Sequence, residues 1–352
     1  MTIVDSTRLL VGGVDTHLDV HVAAVVDPNG GVLGIKSFPT TSAGYNDLSS
    51  WMYSFGPLQR VGVEGTGAYG AGLARHLAGH GLEVIEVDRP NRQARRRNGK
   101  NDQLDAVEAA RGALSGRVTG HAKAGNGNVE ALRVLLIAKR SARSQRIATV
   151  VQLRHLVFTA PDDLRQRMAP LTAAGLVKEA ARLRPRPGTD TVMHAVKTTA
   201  VVLARRVQAL DDELRLLDAQ IEPLVKATAP ALLNIYGVGF DTAAVLLTAA
   251  GDNANRIHSE AAWAKLCGAA PIPVMTGKSS TRYRLNPGGN RHANNALWRI
   301  VLTRLGQHEP RTVAYMNRRL AEGRTKPEII RCLKRYVARE VFRALPRSPR
   351  SR

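Results

Sequence analysis

The sequence predicts an α/β domain with a mixed sheet, followed by a helical coiled-coil region and a mostly helical C-terminal domain. Three observations predict it. Short β-branched runs bounded by turn residues open the chain, strands then alternate with helical patterns, and from about residue 129 the apolar spacing changes to threes and fours. The chain has 352 residues and 44% hydrophobic content, enough for about two domains of roughly 100–200 residues with buried cores.

The elements follow in order. From Leu9 to Phe38 the runs LLVGGVD, VHVAAVVD and VLGIKSF, the last two parted by a PNGG turn, read as three consecutive strands. A helix is predicted over Ser42–Tyr53, then the strand RVGVE ending at Glu64, a glycine-rich turn, a helix over Gly70–Ala78 and the strand LEVIEV ending at Val87. Past Pro90 the segment starts basic, with Arg95, Arg96 and Arg97, and becomes helical in period as far as Gly116. These elements make a first domain over 1–120.

Residues 129–228 read as almost wholly helical, with breaks at Pro161–Pro170 and at Arg182–Gly188. After the second break Val196, Ala200, Leu203, Val207, Leu210, Leu214, Leu217, Ile221 and Leu224 alternate at spacings of four and three. A seam of that kind demands a partner helix, either residues 129–158 folded back or a second subunit. We therefore expect a helical spacer or assembly region at 127–228, a C-terminal domain at 229–345 and a basic tail at 346–352. In the C-terminal domain two short helices flank Gly237-Val238-Gly239, a turn that offers backbone N–H groups to a phosphate, or packs two helices closely.

Charge narrows the partner class. Lys+Arg 51 against Asp+Glu 29 leaves +22, a field that favours polyanions over small neutral substrates. From Arg311 onward 13 Lys/Arg face 3 Glu, and a helix over Pro327–Leu345, with Lys334 and Arg335, is expected to lie on phosphates. The two cysteines, Cys267 and Cys332, support neither a disulfide framework nor a four-ligand zinc site. No run of eighteen apolar residues exists and MTIVDSTR lacks signal-peptide regions, so no membrane partner and a cytoplasmic location are expected.

Three constellations carry chemistry. Asp15 ends the first strand, Glu64 ends the fourth, and Asp102 and Asp105 are three apart at a helix start, on one face. Four carboxylates so delivered suit Mg²⁺, and two ions about 3.5–4 Å apart can serve phosphodiester transfer. Taken singly, Asp15 could cap a turn and Asp102 could be a helix N-cap. Gly65, Gly67 and Gly70, with Asp88 further on, match a dinucleotide fingerprint locally, but three strands precede them, so they read as a close-packing turn that presents Glu64. The third constellation, Pro271–Ile300, sets Thr276, Ser279 and Ser280 beside Lys278, Arg282, Arg284 and Arg291 in a loop with a Gly288-Gly289 turn. A hydroxyl nucleophile on phosphorus needs such surrounding positive charge, and so does a loop that only grips phosphate. His17 and His292 are isolated in the sequence and read as packing or phosphate contacts.

The motifs VDTH at 14–17, VEGTGAYG at 63–70, KNDQLDA at 100–106, GVG followed by PIPVMTGK, and LNPGGNRHANNAL at 285–297 resemble the insertion-sequence transposases of the family numbered one hundred and ten, the DEDD transposases. The likeness runs from about residue 9 to 342. It implies a RuvC-like, RNase H-type domain with Asp15, Glu64, Asp102 and Asp105 as an Mg²⁺-binding tetrad, a coiled-coil insertion and a C-terminal transposase domain. By resemblance the protein cuts and rejoins DNA of an insertion sequence through a covalent hydroxyl–DNA intermediate. It further implies a non-coding guide RNA as partner and a dimer that assembles into a tetramer. Where the family usually has Ser before Gly, this chain has Thr276. The nucleophile is then Thr276, or Ser279 or Ser280, or the copy is inactive, because a β-branch crowds the attack trajectory. A nucleic-acid-binding protein and a water-using, Mg-dependent junction nuclease are the alternatives.

Overall fold

The computed structural model describes residues 9–87, 101–116, 120, 122–123, 125–186, 188, 190–253, 256–276, 279–285 and 288–346. Two compact units form, Met1–Gly127 with Ala250–Ser259, and Asn128–Ala249 with Glu260–Pro346.

In the first unit β1 (Leu10–Thr16), β2 (Val20–Val26), β3 (Val32–Pro39), β4 (Leu58–Glu64) and β5 (Glu83–Val87) make one sheet in the order β3-β2-β1-β4-β5. The β1–β2 and β2–β3 pairs are antiparallel and the β1–β4 and β4–β5 pairs parallel. The parallel half follows from its connections, since α1 (Ser42–Tyr53) and α2 (Ala71–Gly79) separate its strands, while short turns separate the antiparallel ones. Val14, Ala23, Val25, Val61 and Val63 on one face pack with Leu48 and Met52 of α1 and Leu73 and Leu77 of α2. The opposite face, with Val11, Val26, Ile85 and Val87, packs on Ala109, Ala110 and Ala113 of α3 (Asp102–Leu114).

Two glycines set how closely α3 approaches. A Cβ on Gly13 would lie 2.2 Å from Ala106 O and from Ala110 N, and one on Gly62 2.3 Å from Ala109 O. The helix backbone thus rests directly on the β1 and β4 backbones, a spacing that needs glycine below and alanine above. Ala250–Ser259, placed by the sequence reading in the C-terminal domain, packs instead with the first unit: Asn253 Nδ2 donates to Ala122 O at 2.8 Å, and Arg256 pairs with Glu86 at 3.5 Å.

In the second unit α4 (Asn128–Phe158) and α7 (Thr191–Thr228) form a long antiparallel pair. Arg146 pairs with Asp211 and Lys139 with Asp218, seven residues apart on each helix and in opposite directions. Of the seam residues, Ala200, Val207, Leu210, Leu217 and Ile221 are buried, and Val196, Leu203, Leu214 and Leu224 are half-buried. The partner helix is therefore residues 128–158 of the same chain. Between them α5 (Asp162–Met168) and α6 (Ala173–Ala181) close the turn, with Leu164, Met168, Leu176 and Ala180 in one core with Leu153, Val157, Ala204 and Val207.

The rest of this unit comprises α8 (Pro230–Leu233), α9 (Phe240–Ala250), α10 (Glu260–Leu266), the hairpin β6 (Pro271–Thr276) and β7 (Ser279–Leu285), then α11 (Arg291–Gly306), α12 (Pro310–Ala321) and α13 (Lys326–Ala344). The hairpin corrects the reading of 271–285 as a loop. Ile272, Val274, Thr276, Thr281, Tyr283 and Leu285 alternate at period two around the two-residue Gly277-Lys278 connection, which is a strand-pair pattern. Among the described residues no helix is long and apolar enough to cross a membrane.

Candidate functional site

Asp15 lies at the C-terminal end of β1, paired across to Val22, and Glu64 at the end of β4, paired to Val87. By the two-residue period of a strand, Asp15 falls on the face of Val11 and Gly13, and Glu64 on that of Gly62, the face that carries α3. The adjacent turn is fixed by Gly65 at φ +70°, with Thr16 Oγ1 donating to Glu64 O at 2.8 Å. At Gly70 a Cβ would lie 3.0 Å from Thr16 Cγ2 and 3.1 Å from Glu64 O, while at Gly67 it would meet nothing within 4 Å. The turn packs closely at Gly70, in line with a structural use of these glycines.

The N-cap of α3 is Asn101, whose side chain accepts from Gln103 N at 3.0 Å. This corrects the reading of Asp102 as the cap. With Asn101 in that role, Asp102 and Asp105 both lie in the first turn, where the helix dipole favours negative charge. Asp102 is half-exposed and Asp105 is buried.

The structure gathers Asp15, His17 and Asp102, whose ligand atoms all lie within 4.8 Å of one another. His17 Nε2 is 3.1 Å from Asp15 Oδ2 and 3.4 Å from Asp102 Oδ2. Glu64 and Asp105 do not enter that group, although the charge of Asp105 reaches Asp15. His17 is the residue that sequence reasoning missed. The missing signal was its position two residues after Asp15, which returns it to the same face at the strand end. Burial pushes the Asp15 carboxyl above its ordinary range, His17 pulls it back by charge and hydrogen bond, and Asp105 and Asp102 push it up again. Two carboxylates and an imidazole, open to solvent on the His17 and Asp102 side, form a donor set that fits a divalent cation.

In the second unit Thr276 and Ser279 are opposite one another at the end of the β6–β7 ladder. Arg282 and Arg284 pair in the same ladder with Val274 and Ile272. The side chains of residues 273–285 lie outside the described set, as do Gly277, Lys278 and the predicted arginines Arg95, Arg96 and Arg97. The hairpin base is fixed: a Cβ on Gly289 would lie 2.2 Å from Gly268 N, and Asn290 N donates to Leu266 O at 2.6 Å. Arg291 follows as the exposed first residue of α11. Gly237 takes φ +81° and packs against Ile300 and Arg304, while Gly239 has open space at its Cα. The helix that follows carries Asp241, held by Lys139, by Arg143 at 3.0 Å and by Arg299 at 3.2 Å. Burial opposes its ionisation, but Lys139 and Arg143 outweigh that and bring its pKa down to about 2.

Lys334 and Arg335 are not on an open face. Lys334 is 7% exposed and donates to Asn294 Oδ1 at 2.9 Å, and Arg335 pairs with Glu260. Asn294 in turn donates to Cys267 O and Gly268 O. Lys334 is turned inward beside the apolar stripe of Ile329, Leu333, Val337 and Val341, while Arg335, away from that stripe, is tied to α10 by its ion pair with Glu260.

Residues 12–160 match a profile of the DEDD transposases of the IS110 group, described as transposase. Residues 229–317 match a second profile, described as transposase of the IS116/IS110/IS902 family. The Insertion element IS110 uncharacterized 43.6 kDa protein of Streptomyces coelicolor is 31% identical over 161 residues, 45% of this chain and 38% of that protein. The chain thus spans well under two thirds of that relative in the match. Two profiles of one family, which match residues in both units, carry the assignment: the chain belongs to the IS110 family of transposases.

Proposed function

We propose that the protein is a DNA transposase that cuts and rejoins the DNA of an insertion sequence through a hydroxyl-linked protein–DNA intermediate. The observation that carries the reading is the Asp15–His17–Asp102 cluster, at the C-terminal end of the central strand of a β3-β2-β1-β4-β5 sheet, in a chain of this family. That strand order, with two antiparallel and two parallel pairings, supports an RNase H-like, RuvC-type domain over 1–120. The helical pair at 127–228 is then an assembly region, 229–345 the transposase domain and 346–352 a basic tail.

Asp15, Asp102 and His17 would hold Mg²⁺, and Glu64 and Asp105 would supply the further carboxylates of the tetrad for a second ion. A divalent ion there supplies neutralisation of charge on the phosphate oxygens. Asp15, fixed in the sheet, orients the site, and Asp102 and His17 lie on its solvent-open side. In the second unit a hydroxyl oxygen of Thr276 or Ser279 forms a bond to phosphorus as the bond from phosphorus to a deoxyribose oxygen breaks. The hydroxyl proton leaves to solvent and the departing strand takes one up. Lys278, Arg282, Arg284 and Arg291 would neutralise the phosphorane. A structured guide RNA and a homo-oligomer, dimer to tetramer, belong to the same reading.

Covalent trapping tests it. The purified protein, with co-purifying RNA, is incubated with Mg²⁺ and DNA carrying the flanks of its gene, denatured, and searched by peptide mass spectrometry for a DNA-linked residue. An adduct on Thr276, Ser279 or Ser280 that is absent from Asp15→Asn supports the reading. Strand cleavage without any adduct would favour the water-using nuclease. Neither product, alongside a serine-bearing relative that forms one, would leave a nucleic-acid-binding protein.

A further inference from the structure

A second binding site is built into the C-terminal helices. Between the end of α8, α11, α12 and α13 lies a cleft of about 710 Å³. Of the seven tyrosines in a chain only 4% aromatic, three line it: Tyr236, Tyr315 and Tyr336. Tyr236 and Tyr336 are 49% and 45% exposed. The Tyr315 and Tyr336 rings meet nearly edge to face, with centroids 5.4 Å apart. The guanidinium of Arg339, which also pairs with Glu260 at 3.1 Å, is 6.0 Å from the Tyr336 ring centre. The cleft therefore offers aromatic surface next to cationic groups.

Its charge is decided by which groups are already engaged. Glu309 caps α12, accepting from Thr312 N at 2.7 Å and from Thr312 Oγ1. Glu340 accepts from Arg304 Nη2 at 2.6 Å, and the Arg304 Nε donates to Tyr236 O at 2.9 Å. Glu340 is thus charge-paired within the fold, and Glu309 is held in its helix cap with the Arg304 charge nearby. Arg311 and Arg343 line the same space, are exposed, and have no carboxylate partner among the described residues. The phenol of Tyr315, pushed up to about 12 by burial and by neighbouring Cys332 and Tyr336, stays neutral and does not repel an anion.

We propose that this cleft binds an unpaired nucleotide of a single-stranded nucleic acid, its base against Tyr336 and its phosphates on Arg311 and Arg343. Aromatic faces flanked by unengaged guanidinium groups match a π-face joined to a phosphodiester, and a duplex cannot present that pair because its bases are stacked inside. The space is of the size that encloses a small ligand. The Lys334 position expected to meet phosphate lies on the packed side of α13, whereas Tyr336, Arg339 and Arg343 line the cleft.

Fluorescence anisotropy of the full chain, without divalent metal, against labelled oligo(dT), oligo(rU) and a blunt duplex of matched length tests the site. Tyr336→Ala should weaken one or both single strands by about tenfold, with Tyr336→Phe near wild type and the duplex unaffected. The strand that shows the loss identifies DNA or RNA as the source. Arg343→Gln should lower the salt slope for that strand by about one. Unchanged affinity of Tyr336→Ala for both single strands, or an equal loss on the duplex, would overturn the proposal. Since no cleavage is read, failure here leaves the acidic-site reading standing, and failure of covalent trapping leaves this site standing.

Discussion

At Asp15 the site's chemistry and the fold's stability pull in opposite directions. The residue is 5% exposed and burial holds its pKa above the ordinary carboxylate value. A carboxyl whose folded pKa is raised opposes folding at pH values above that pKa, and the penalty vanishes as pH falls below the unfolded value. Above that pKa the ionised group therefore costs stability, which a divalent ion bound at the cluster would offset. Asp15→Asn removes the charge and keeps the shape. The variant free of metal should melt about 1–3 °C above wild type, and should lose the rise in melting temperature that Mn²⁺ or Mg²⁺ gives the native protein. Scanning fluorimetry with and without metal reads both. A lower melting point in the metal-free variant would mean that the hydrogen bond with His17 outweighs burial. The Asp15 and Asp102 positions were legible because strand ends and a helix start could be read from β-branched runs and the KNDQLDA segment. His17 was passed over because a lone histidine reads as packing, although its place two residues after Asp15 at a legible strand end returns it to the same face.

The same site depends on how one helix meets one sheet. α3 carries Asp102 and Asp105, and its approach is set by Gly13 and Gly62 beneath Ala106, Ala109 and Ala110. Gly13→Ala would place a methyl 2.2 Å from the backbone of Ala106 and Ala110, atoms that cannot rotate away. Overpacking of this kind costs about 1–3 kcal/mol or more, and the displaced helix would carry Asp102 away from Asp15. The variant should therefore unfold at lower urea concentration and bind metal more weakly. Gly67→Ala is the control, because nothing lies within 4 Å of its Cβ and its effect should stay within about 0.5 kcal/mol. Equal midpoints for the two variants would show that the close approach does not hold α3 in place. At this scale much was legible: the period-two and period-three-and-four patterns place the five strands, α1, α2 and the two long helices close to their predicted bounds. The β6–β7 hairpin was hidden because its hydroxyl and basic residues read as chemistry before they read as alternation. The inward side of α13 was hidden because Lys334 counts as charge in a sequence and as a hydrogen-bond donor to Asn294 in the fold.

Over the whole molecule the formal charge of +22 overstates what a polyanion meets. Lys139, Arg143 and Arg299 converge on Asp241, Arg146 on Asp211, Arg335 and Arg339 on Glu260, and Arg304 on Glu340. A cation paired within the fold displaces few counterions when nucleic acid arrives, so the salt dependence of binding counts the cations that remain. Neutralising Z phosphates gives a slope of about −0.9Z in log affinity against log salt. If only unengaged cations such as Arg311 and Arg343 and others like them take part, Z should fall at about 6–10, far below the number of basic residues. Affinity for duplex DNA should then drop about 10³–10⁵-fold between about 50 and 200 mM salt. Filter binding across that range measures it. A flat dependence would remove nucleic acid as the partner and with it the transposase reading. A slope near the full count of lysines and arginines would mean that binding breaks the internal ion pairs, so that the bound fold differs from the one described.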